Sequence, residues 1–173
     1  ELTARVSAAA DLIGASRRPC LLGGAGIRLS NAIEVFHEFI DRTGIPVMTS
    51  RLGMDLIDHT HPLFVGRPGT YGDRASNFTI QNSDVFLSIG CRLGIGLVGY
   101  DFQDFGRYAK KIIVDVDEPE LKKPSVVPDL PIHADAATFF RLLIAALGNY
   151  RCGNRRWVEQ TQEWKRRYPV DLP

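Results

Sequence analysis

The sequence lacks any concentration of charge and any long apolar run. Its 21 lysines and arginines are balanced by 20 aspartates and glutamates, which leaves a formal net charge of +1. Proteins that bind nucleic acid or a membrane surface need a concentrated basic face, so we expect neither partner. No apolar stretch approaches the roughly 20 residues that span a bilayer, and the first residues lack the basic-then-apolar arrangement of a signal peptide.

Cysteine is also scarce, with only Cys20, Cys91 and Cys152 in the chain. An odd number of cysteines, two of them in or beside strand-like segments, favours reduced thiols over a disulfide framework. We therefore expect a cytoplasmic protein. Low-complexity tracts and internal repeats are absent, and 173 residues suffice for about one domain with a sizeable core.

The sequence does contain short apolar runs that alternate with helical patterns. The opening ELTARVSAAADLIGAS predicts an amphipathic helix. Strands are predicted at 19–22, 46–49, 63–65, 85–89, 112–116 and 130–133, and further helices at 31–43, 72–82, 101–109 and 136–147. Since each parallel crossover needs about a dozen residues, this alternation predicts an α/β fold. We expect a Rossmann-like, three-layer domain with a six-stranded parallel sheet in the order 3-2-1-4-5-6 and helices on both faces.

Two residues predict the ends of the helix at 31–43. Ser30 is a suitable N-cap, and Gly44 suits the left-handed position just beyond the helix. In the C-terminal tail, four residues at helical spacing would form a stripe on one face of a helix: Trp157, Thr161, Trp164 and Tyr168. This stripe packs either on the domain itself or on a neighbouring domain. We assign residues 1–150 to the domain and 151–173 to a C-terminal helix or linker that leads toward a third domain.

The first candidate binding motif is CLLGGAGIRLS at 20–30, where a strand, a glycine turn and a helix follow one another. Gly24 and Gly26 would let a ligand approach the backbone closely, and a helix N-terminus attracts phosphate. The match to G-x-G-x-x-G is incomplete, because Leu29 stands at the third glycine position. The glycines could equally serve only the tight turn.

The second motif is SIGCRLGIG at 88–96, again at the end of a strand. Arg92 there could pair with a phosphate, or it could be an ordinary surface arginine. The segment RPGTYGD at 67–73 supplies further glycines in a loop that opens a helix, which suits a phosphate or sugar passing close by.

The third motif, IIVDVDEPE, contains four acids: Asp115, Asp117, Glu118 and Glu120. An acid at the end of a Rossmann strand commonly accepts a hydrogen bond from a ribose hydroxyl. The same acids could bind a divalent metal, or they could simply begin a helix around Pro119.

Two weaker patterns point to no chemistry. His59 and His61 could share a strand face and bind zinc, but Pro62 and the turn-like surroundings favour a loop. No serine, threonine or cysteine has a convincing base beside it. The notable motifs therefore indicate binding rather than catalysis, and we expect no catalytic or metal-ligating residue in this chain.

From about Arg18 to Leu147 the sequence resembles the middle domain of the acetolactate synthase and pyruvate oxidase group of thiamine diphosphate-dependent enzymes. The segments that carry the resemblance, in order, are RPCLLGGAG, FIDRTGIPVMTSRLG, HPLFVGRPGTYGDRASN, NSDVFLSIGCRL, KKIIVDVDEPELKK and PIHADA. No single segment is decisive, but the series in this order and spacing is specific.

The resemblance implies a parent enzyme of three α/β domains that makes and breaks carbon–carbon bonds beside a carbonyl, typically of pyruvate. In that family the first domain activates thiamine diphosphate with a glutamate. The third domain holds the diphosphate through Mg²⁺ with a Gly-Asp-Gly motif, which this sequence lacks. The expected partners are the other two domains, in a homodimer or homotetramer, and this chain alone is not expected to catalyse a reaction.

The middle domain of such enzymes holds FAD in some members and ADP or nothing in others. The family's flavin-contacting positions fall here on Gly24, Gly26, Thr49, Leu52, Gly69, Thr70, Gly90, Arg92 and Asp115. Flavin-binding members usually continue G-x-R with an acid and an arginine, whereas this chain has Gly94 and Gly96. We therefore expect neither FAD nor ADP to be resident in this domain.

Two other functions fit the residues. The chain could be a stand-alone NAD- or ADP-binding Rossmann module, or it could be a ligand-free structural spacer. Flanking domains that carry the glutamate and the Gly-Asp-Gly motif would decide for the thiamine diphosphate enzyme.

Overall fold

The computed structural model describes residues 1–170, and its centre is a sheet of six parallel strands in the order 3-2-1-4-5-6. The strands are β1 (Pro19–Gly23), β2 (Val47–Thr49), β3 (Phe64–Gly66), β4 (Val85–Ile89), β5 (Lys110–Asp115) and β6 (Leu130–His133). The predicted fold class and strand order are confirmed. The four inner strands are apolar and buried for most of their length, as strands covered on both faces must be.

Within residues 1–170, eight α-helices surround the sheet. They are α1 (Leu2–Ala15), α2 (Ala25–Leu29), α3 (Ile33–Thr43), α4 (Arg74–Asn82), α5 (Ile95–Val98), α6 (Glu118–Lys122), α7 (Ala136–Leu147) and α8 (Arg155–Arg167). Side chains of α1, α3 and α7 form one apolar core with one face of the sheet, and side chains of α4, α5 and α6 form another core with the opposite face. Helices therefore cover both faces, as predicted.

The first core contains a cluster of phenylalanines. Phe36 and Phe39 of α3 lie against Phe140 of α7, with ring centroids 5.9 and 5.3 Å apart, and all three side chains are fully buried. Truncating a buried phenylalanine to alanine typically costs about 3–5 kcal/mol. This cluster fixes α3 and α7 on the sheet and so fixes the loops that precede them.

The beginning of α3 differs from the prediction, and its end agrees with it. Ser30 ends α2 and donates its hydroxyl to the carbonyl of Ile27, while α3 begins only at Ile33. Asn31 between them has a φ of 54°, a left-handed conformation that interrupts the helix. Gly44 has a φ of 65° just beyond the helix, so the predicted C-terminal glycine is confirmed.

The helix predicted at 101–109 is wrong. Only a short 3-10 turn forms there, at Phe102–Asp104. Phe105 turns inward and packs edge-on against Phe86 of β4 at 5.4 Å, and Gly106 takes a left-handed φ of 54°. Core packing by one aromatic ring therefore overrides the helical pattern of this segment.

The C-terminal stripe packs on this domain. Trp157 is buried and donates its ring N–H to the carbonyl of Pro19, at 2.9 Å. Trp164 lies edge-on to Phe78 of α4 at 5.8 Å. Lys165 donates to the main-chain carbonyl of Phe64 in β3, at 2.8 Å. Helix α8 thus covers α4 and β3. Within residues 1–170, no helix combines the length and apolar character that crossing a bilayer requires.

Candidate functional site

The nine predicted cofactor-contacting residues all lie at the carboxyl ends of the strands. They are Gly24 and Gly26 after β1, Thr49 and Leu52 at the end of β2, Gly69 and Thr70 after β3, Gly90 and Arg92 after β4, and Asp115 at the end of β5. The sheet order reverses between β1 and β4, and open α/β sheets bind ligands beside such a reversal. The structure therefore brings these residues to one edge of the sheet, while the ligand contacts themselves stay a prediction.

The glycines after β1 are in contact with main chain rather than with open space. The N–H groups of Gly24 and Gly26 donate to the carbonyls of Ile89 and Gly90, at 2.9 and 3.0 Å. A Cβ added at Gly24 would lie 2.6 Å from the Cα of Cys91, and one at Gly26 would lie 2.6 Å from the Cα of Gly90. The loops after β1 and β4 therefore need glycine to pass each other, whether or not a ligand binds.

The end of β2 presents one buried polar group and one exposed apolar side chain. Thr49 is fully buried, and its hydroxyl has no hydrogen-bond partner among residues 1–170. Leaving a buried polar group unpaired typically costs about 1–3 kcal/mol, so a water or ligand atom there would relieve a real cost. Leu52 is 74% exposed, and its carbonyl accepts a hydrogen bond from Arg28 at 3.4 Å.

The loop after β3 is held rigidly. The side-chain amide of Asn77 accepts from the N–H of Gly69 and donates to its carbonyl, both at 3.0 Å. The N–H of Thr70 donates to the carbonyl of Gly96, also at 3.0 Å. A shallow open pocket of about 250 Å³ lies between this loop, α4 and α5, with Leu97 and Phe105 among its walls. The pocket is small for a whole dinucleotide but wide enough for part of one.

The charged residues of the site face each other across β4 and β5. Arg92 is exposed, and its guanidinium lies 3.4 Å from the carboxylate of Asp117. Asp115 is buried and accepts the N–H of Asp117 at 2.9 Å. Asp115, which is predicted to bind a ribose, therefore also holds the turn that carries Asp117, the ion-pair partner of Arg92.

Gly94 and Gly96 stand where the resemblance led us to expect an acid and an arginine in a flavin-binding domain. A Cβ added at either position would meet nothing within 4 Å, and neither has a positive φ. Side chains at both places are therefore sterically acceptable. Packing therefore does not explain why this chain has glycine rather than a charged residue at both positions.

The acids after β5 have structural partners. Glu118 and Glu120 lie in the first turn of α6, where Pro119 is at one of the first two positions. Glu118 forms an ion pair with Lys122, which lowers the pKa of the carboxyl group. The helix-initiating interpretation of these acids is confirmed. No group of three or more histidine, cysteine or acidic side chains within residues 1–170 is arranged to hold a metal ion.

The histidine pair and the cysteines have equally structural surroundings. His61 accepts the N–H of Leu63 at 3.2 Å and lies 3.5 Å from Asp41, while His59 is exposed. Burial raises the pKa of the Cys20 thiol to about 12, and burial likewise raises the pKa of Cys91. A buried thiol with a raised pKa is a poor nucleophile at neutral pH.

Two features near Arg92 escaped the sequence analysis. Leu93 is a buried leucine with a left-handed φ of 44°, and Lys123, just beyond α6, reaches the main chain beside it. Nothing in a leucine's sequence neighbourhood signals a positive φ. The only available signal for Lys123 was its spacing of three residues from Glu120, which suits an ion pair on a helix.

Exposed apolar side chains surround the site. Six of them lie in the loops and short helices that follow β1 to β5: Leu29, Leu52, Met54, Tyr71, Ile95 and Val116. Single exposed apolar residues are ordinary, and these six share a position beyond the carboxyl ends of the strands.

Comparison with known families decides the classification. The model of the family described as "Thiamine pyrophosphate enzyme, central domain" matches residues 6–143. The chain belongs to this family. The resemblance inferred from the sequence is thereby confirmed.

Several similar proteins are described as acetolactate synthase large subunits. The chain is 35% identical to the probable acetolactate synthase large subunit of Methanocaldococcus jannaschii over 163 residues, which cover 94% of this chain and 27% of that relative. It is 32% identical to the corresponding protein of Methanococcus aeolicus and 30% identical to the acetolactate synthase large subunit of Corynebacterium glutamicum. The chain thus spans about a quarter of the length of the relatives it matches.

Proposed function

We propose that this chain is the supporting middle domain of a thiamine diphosphate-dependent transferase or lyase that resembles acetolactate synthase. The whole enzyme would make or break a carbon–carbon bond at a 2-oxo acid such as pyruvate. Thiamine diphosphate and Mg²⁺ would be held by the other two domains, because this chain has no Gly-Asp-Gly motif. When bound there, the cofactor supplies the carbanion chemistry.

The observation that carries this proposal is the composition of the carboxyl edge. The loops there bring together glycines, the exposed Arg92 and the buried carboxylate of Asp115. Among the described residues they bring together no nucleophile with a base and no metal-binding cluster. Exposed apolar side chains surround that edge, and Tyr71 among them is fully exposed. A domain with this edge suits contact with other domains and binding of a ligand rather than catalysis.

For the edge itself we propose a pocket suited to an adenine nucleotide, with no resident flavin or ADP. Arg92 is exposed and can exchange its contact with Asp117 at 3.4 Å for a diphosphate, and Asp115 at the end of β5 would accept a ribose hydroxyl. Two features argue against tight binding of FAD. The N–H groups of Gly24 and Gly26 are already used by the loop after β4, and Gly94 and Gly96 supply no charge.

The remaining parts of the proposal concern the whole protein. We place it in the cytoplasm, as a homodimer or homotetramer whose subunits meet through the other two domains. The family match, together with a relative of which this chain covers only 27%, supports a multidomain enzyme. The exposed apolar side chains at the carboxyl edge support contact with the other domains.

Three measurements test the proposal. The full-length protein should consume pyruvate only when thiamine diphosphate and Mg²⁺ are supplied. Titration of the 173-residue chain alone with both should produce no saturable heat. Freshly purified protein should also lack the visible absorption of a flavin. Saturable binding of thiamine diphosphate by the chain alone would contradict the assignment of that cofactor to other domains, and a stoichiometric flavin spectrum would contradict the empty flavin pocket.

A further inference from the structure

The turn after β4 contains an unusual backbone conformation. Leu93 has a φ of 44° although it is not glycine, and its side chain is 2% exposed. Non-glycine residues rarely adopt positive φ, and when they do the surrounding structure must hold them there. The turn that presents Arg92 therefore depends on contacts made by its neighbours.

The start of this turn is held by main chain. The N–H of Gly90 donates to the carbonyl of Val114 at 2.9 Å, and the carbonyl of Gly90 accepts from Gly26 at 3.0 Å. These bonds fix the chain as it leaves β4. They do not reach Arg92 and Leu93, where the chain turns.

The end of the turn is contacted by the side chain of Lys123, which lies just beyond α6. The ammonium group of Lys123 donates to the carbonyl of Arg92 and lies 3.5 Å from the carbonyl of Leu93. It also lies 2.8 Å from the carboxylate of Glu120, and both side chains are about four-fifths buried, with 22% and 21% exposed. A lysine offers three donors on a flexible stem, which matches these three acceptors.

Lys122, the preceding residue and the last of α6, is the natural comparison. Its side chain is 71% exposed and pairs with Glu118 at 2.8 Å, without reaching the turn. Two adjacent lysines therefore each form an ion pair with a glutamate of α6, but only one of them also binds the main chain on either side of the left-handed residue.

We propose that Lys123 is a positioning residue that holds the turn at Leu93 and thereby directs Arg92 toward the diphosphate of a bound nucleotide. The diphosphate part rests on the adenine-nucleotide pocket proposed above. With the turn fixed, the exposed guanidinium of Arg92 stands beside Asp117, at the junction of β4 and β5. Without it, the main chain before Leu93 loses the donor that holds it in place.

Hydrogen exchange tests the effect on the turn without any ligand. In Lys123→Met, the main-chain amides of residues 92–95 should exchange about tenfold faster or more, while those of the buried strands should keep their rates. Lys122→Met is the matched control and should leave the turn unchanged. Lys123→Ala, which also removes the donor, is the second variant if Lys123→Met does not fold. Unchanged exchange at 92–95 in a folded Lys123 variant would overturn the proposal.

A double-mutant cycle with ADP tests whether Lys123 acts through Arg92. Calorimetry should show ADP bound about tenfold more weakly by Lys123→Met and by Arg92→Gln, and no more weakly by the double variant than by Arg92→Gln alone. Independent losses that add in the double variant would overturn the positioning role. No ADP binding by the unaltered protein would overturn the nucleotide pocket and the diphosphate role of Arg92. The exchange rates then still decide whether Lys123 holds the turn.

Discussion

Strands β1 and β4 are neighbours in the centre of the sheet, and their two ends are joined in different ways. At the amino end a side chain makes the connection. The carboxylate of Asp84 accepts the hydroxyl of Ser16 and the main-chain N–H groups of Arg17 and Arg18, the latter two at 2.9 and 2.8 Å. At the carboxyl end the two loops meet backbone to backbone, and glycines allow the contact.

The difference shows which end tolerates change. A carboxylate that joins two segments can be exchanged for a similar polar group at a moderate cost. A contact between main chains has no side chain to adjust, so any Cβ placed in it must displace backbone. The end that faces the candidate pocket is therefore the less adaptable one at Gly24 and Gly26. Side chains are sterically acceptable again only a few residues further on, at Gly94 and Gly96.

The largest effect is expected for Gly24→Ala, which breaks the carboxyl-end contact directly. The new methyl group would lie 2.6 Å from the Cα of Cys91, and relief requires separation of the two loops. Overpacking a side-chain contact typically costs about 1–3 kcal/mol, and we expect about 3 kcal/mol or more here because the opposing atoms are backbone. Urea denaturation of Gly24→Ala beside Gly94→Ala measures the difference. Equal stability of the two variants would contradict the contact.

A loss of ligand binding in a Gly24 variant does not by itself show that a phosphate contacts residue 24. A bulkier substitution such as Gly24→Val would abolish ligand binding even if no phosphate approaches residue 24, since it would disturb the fold first. A nucleotide assay on that variant is informative only beside a measurement of its stability.

A smaller effect is expected at the amino end for Asp84→Asn. Burial opposes ionisation of Asp84, but hydrogen bonds from Ser16, Arg17 and Arg18 outweigh it and hold the pKa of the carboxyl below its usual 3.8. The group is partly buried, and we expect the substitution to cost about 1–2 kcal/mol at neutral pH.

The sign of the pH dependence follows from the lowered pKa. The stabilisation by ionised Asp84 is fully present above pH 3.8 and is lost as the pH falls through the lower pKa of the folded state. The difference in unfolding free energy between the natural protein and Asp84→Asn should therefore shrink as the pH falls below that value. A difference that grows on acidification would show that the carboxylate is not stabilised in the folded protein.

The smallest effect, and one of opposite sign, is expected for Gly94→Ala combined with Gly96→Ala. Neither glycine has a positive φ, and both added methyl groups enter open space. Replacing glycine by alanine at compatible positions stabilises proteins by about 0.4–1 kcal/mol, chiefly by restricting the unfolded chain. Thermal unfolding should show a small increase in Tm. A loss of stability would mean that these glycines have a packing role after all.

The comparison also shows what the sequence could and could not predict. The strands and their order were predictable, because β-branched and apolar runs separated by helical segments admit few parallel arrangements. The lack of a helix at 101–109 was not predictable, because only the tertiary contact of Phe105 with Phe86 explains why this segment does not follow its helical pattern. Ser30 failed as a cap for a similar reason: the left-handed Asn31 separates two short helices.

In the candidate site, too, the positions of residues were predictable from the sequence and their contacts were not. That Gly24, Arg92 and Asp115 would gather at one edge followed from parallel strands, whose carboxyl ends all point the same way. The glycines' steric role was hidden, because a glycine that accommodates a neighbouring loop and one that accommodates a phosphate look alike in a sequence. The contact of Lys123 with the turn was hidden too, since it joins segments thirty residues apart.

Helix α8 has a consequence for how this domain behaves when it is cut from its surroundings. Strand β3 pairs with a neighbour on one side only, and Lys165 and Gln162 occupy the outward-facing carbonyl of Phe64 on the other. An unprotected strand edge is a template for strand addition by another molecule. The family match ends at residue 143, well before α8 begins. A fragment trimmed to that match would therefore expose β3 and be prone to self-association, so solubility depends on a helix that the family match does not include.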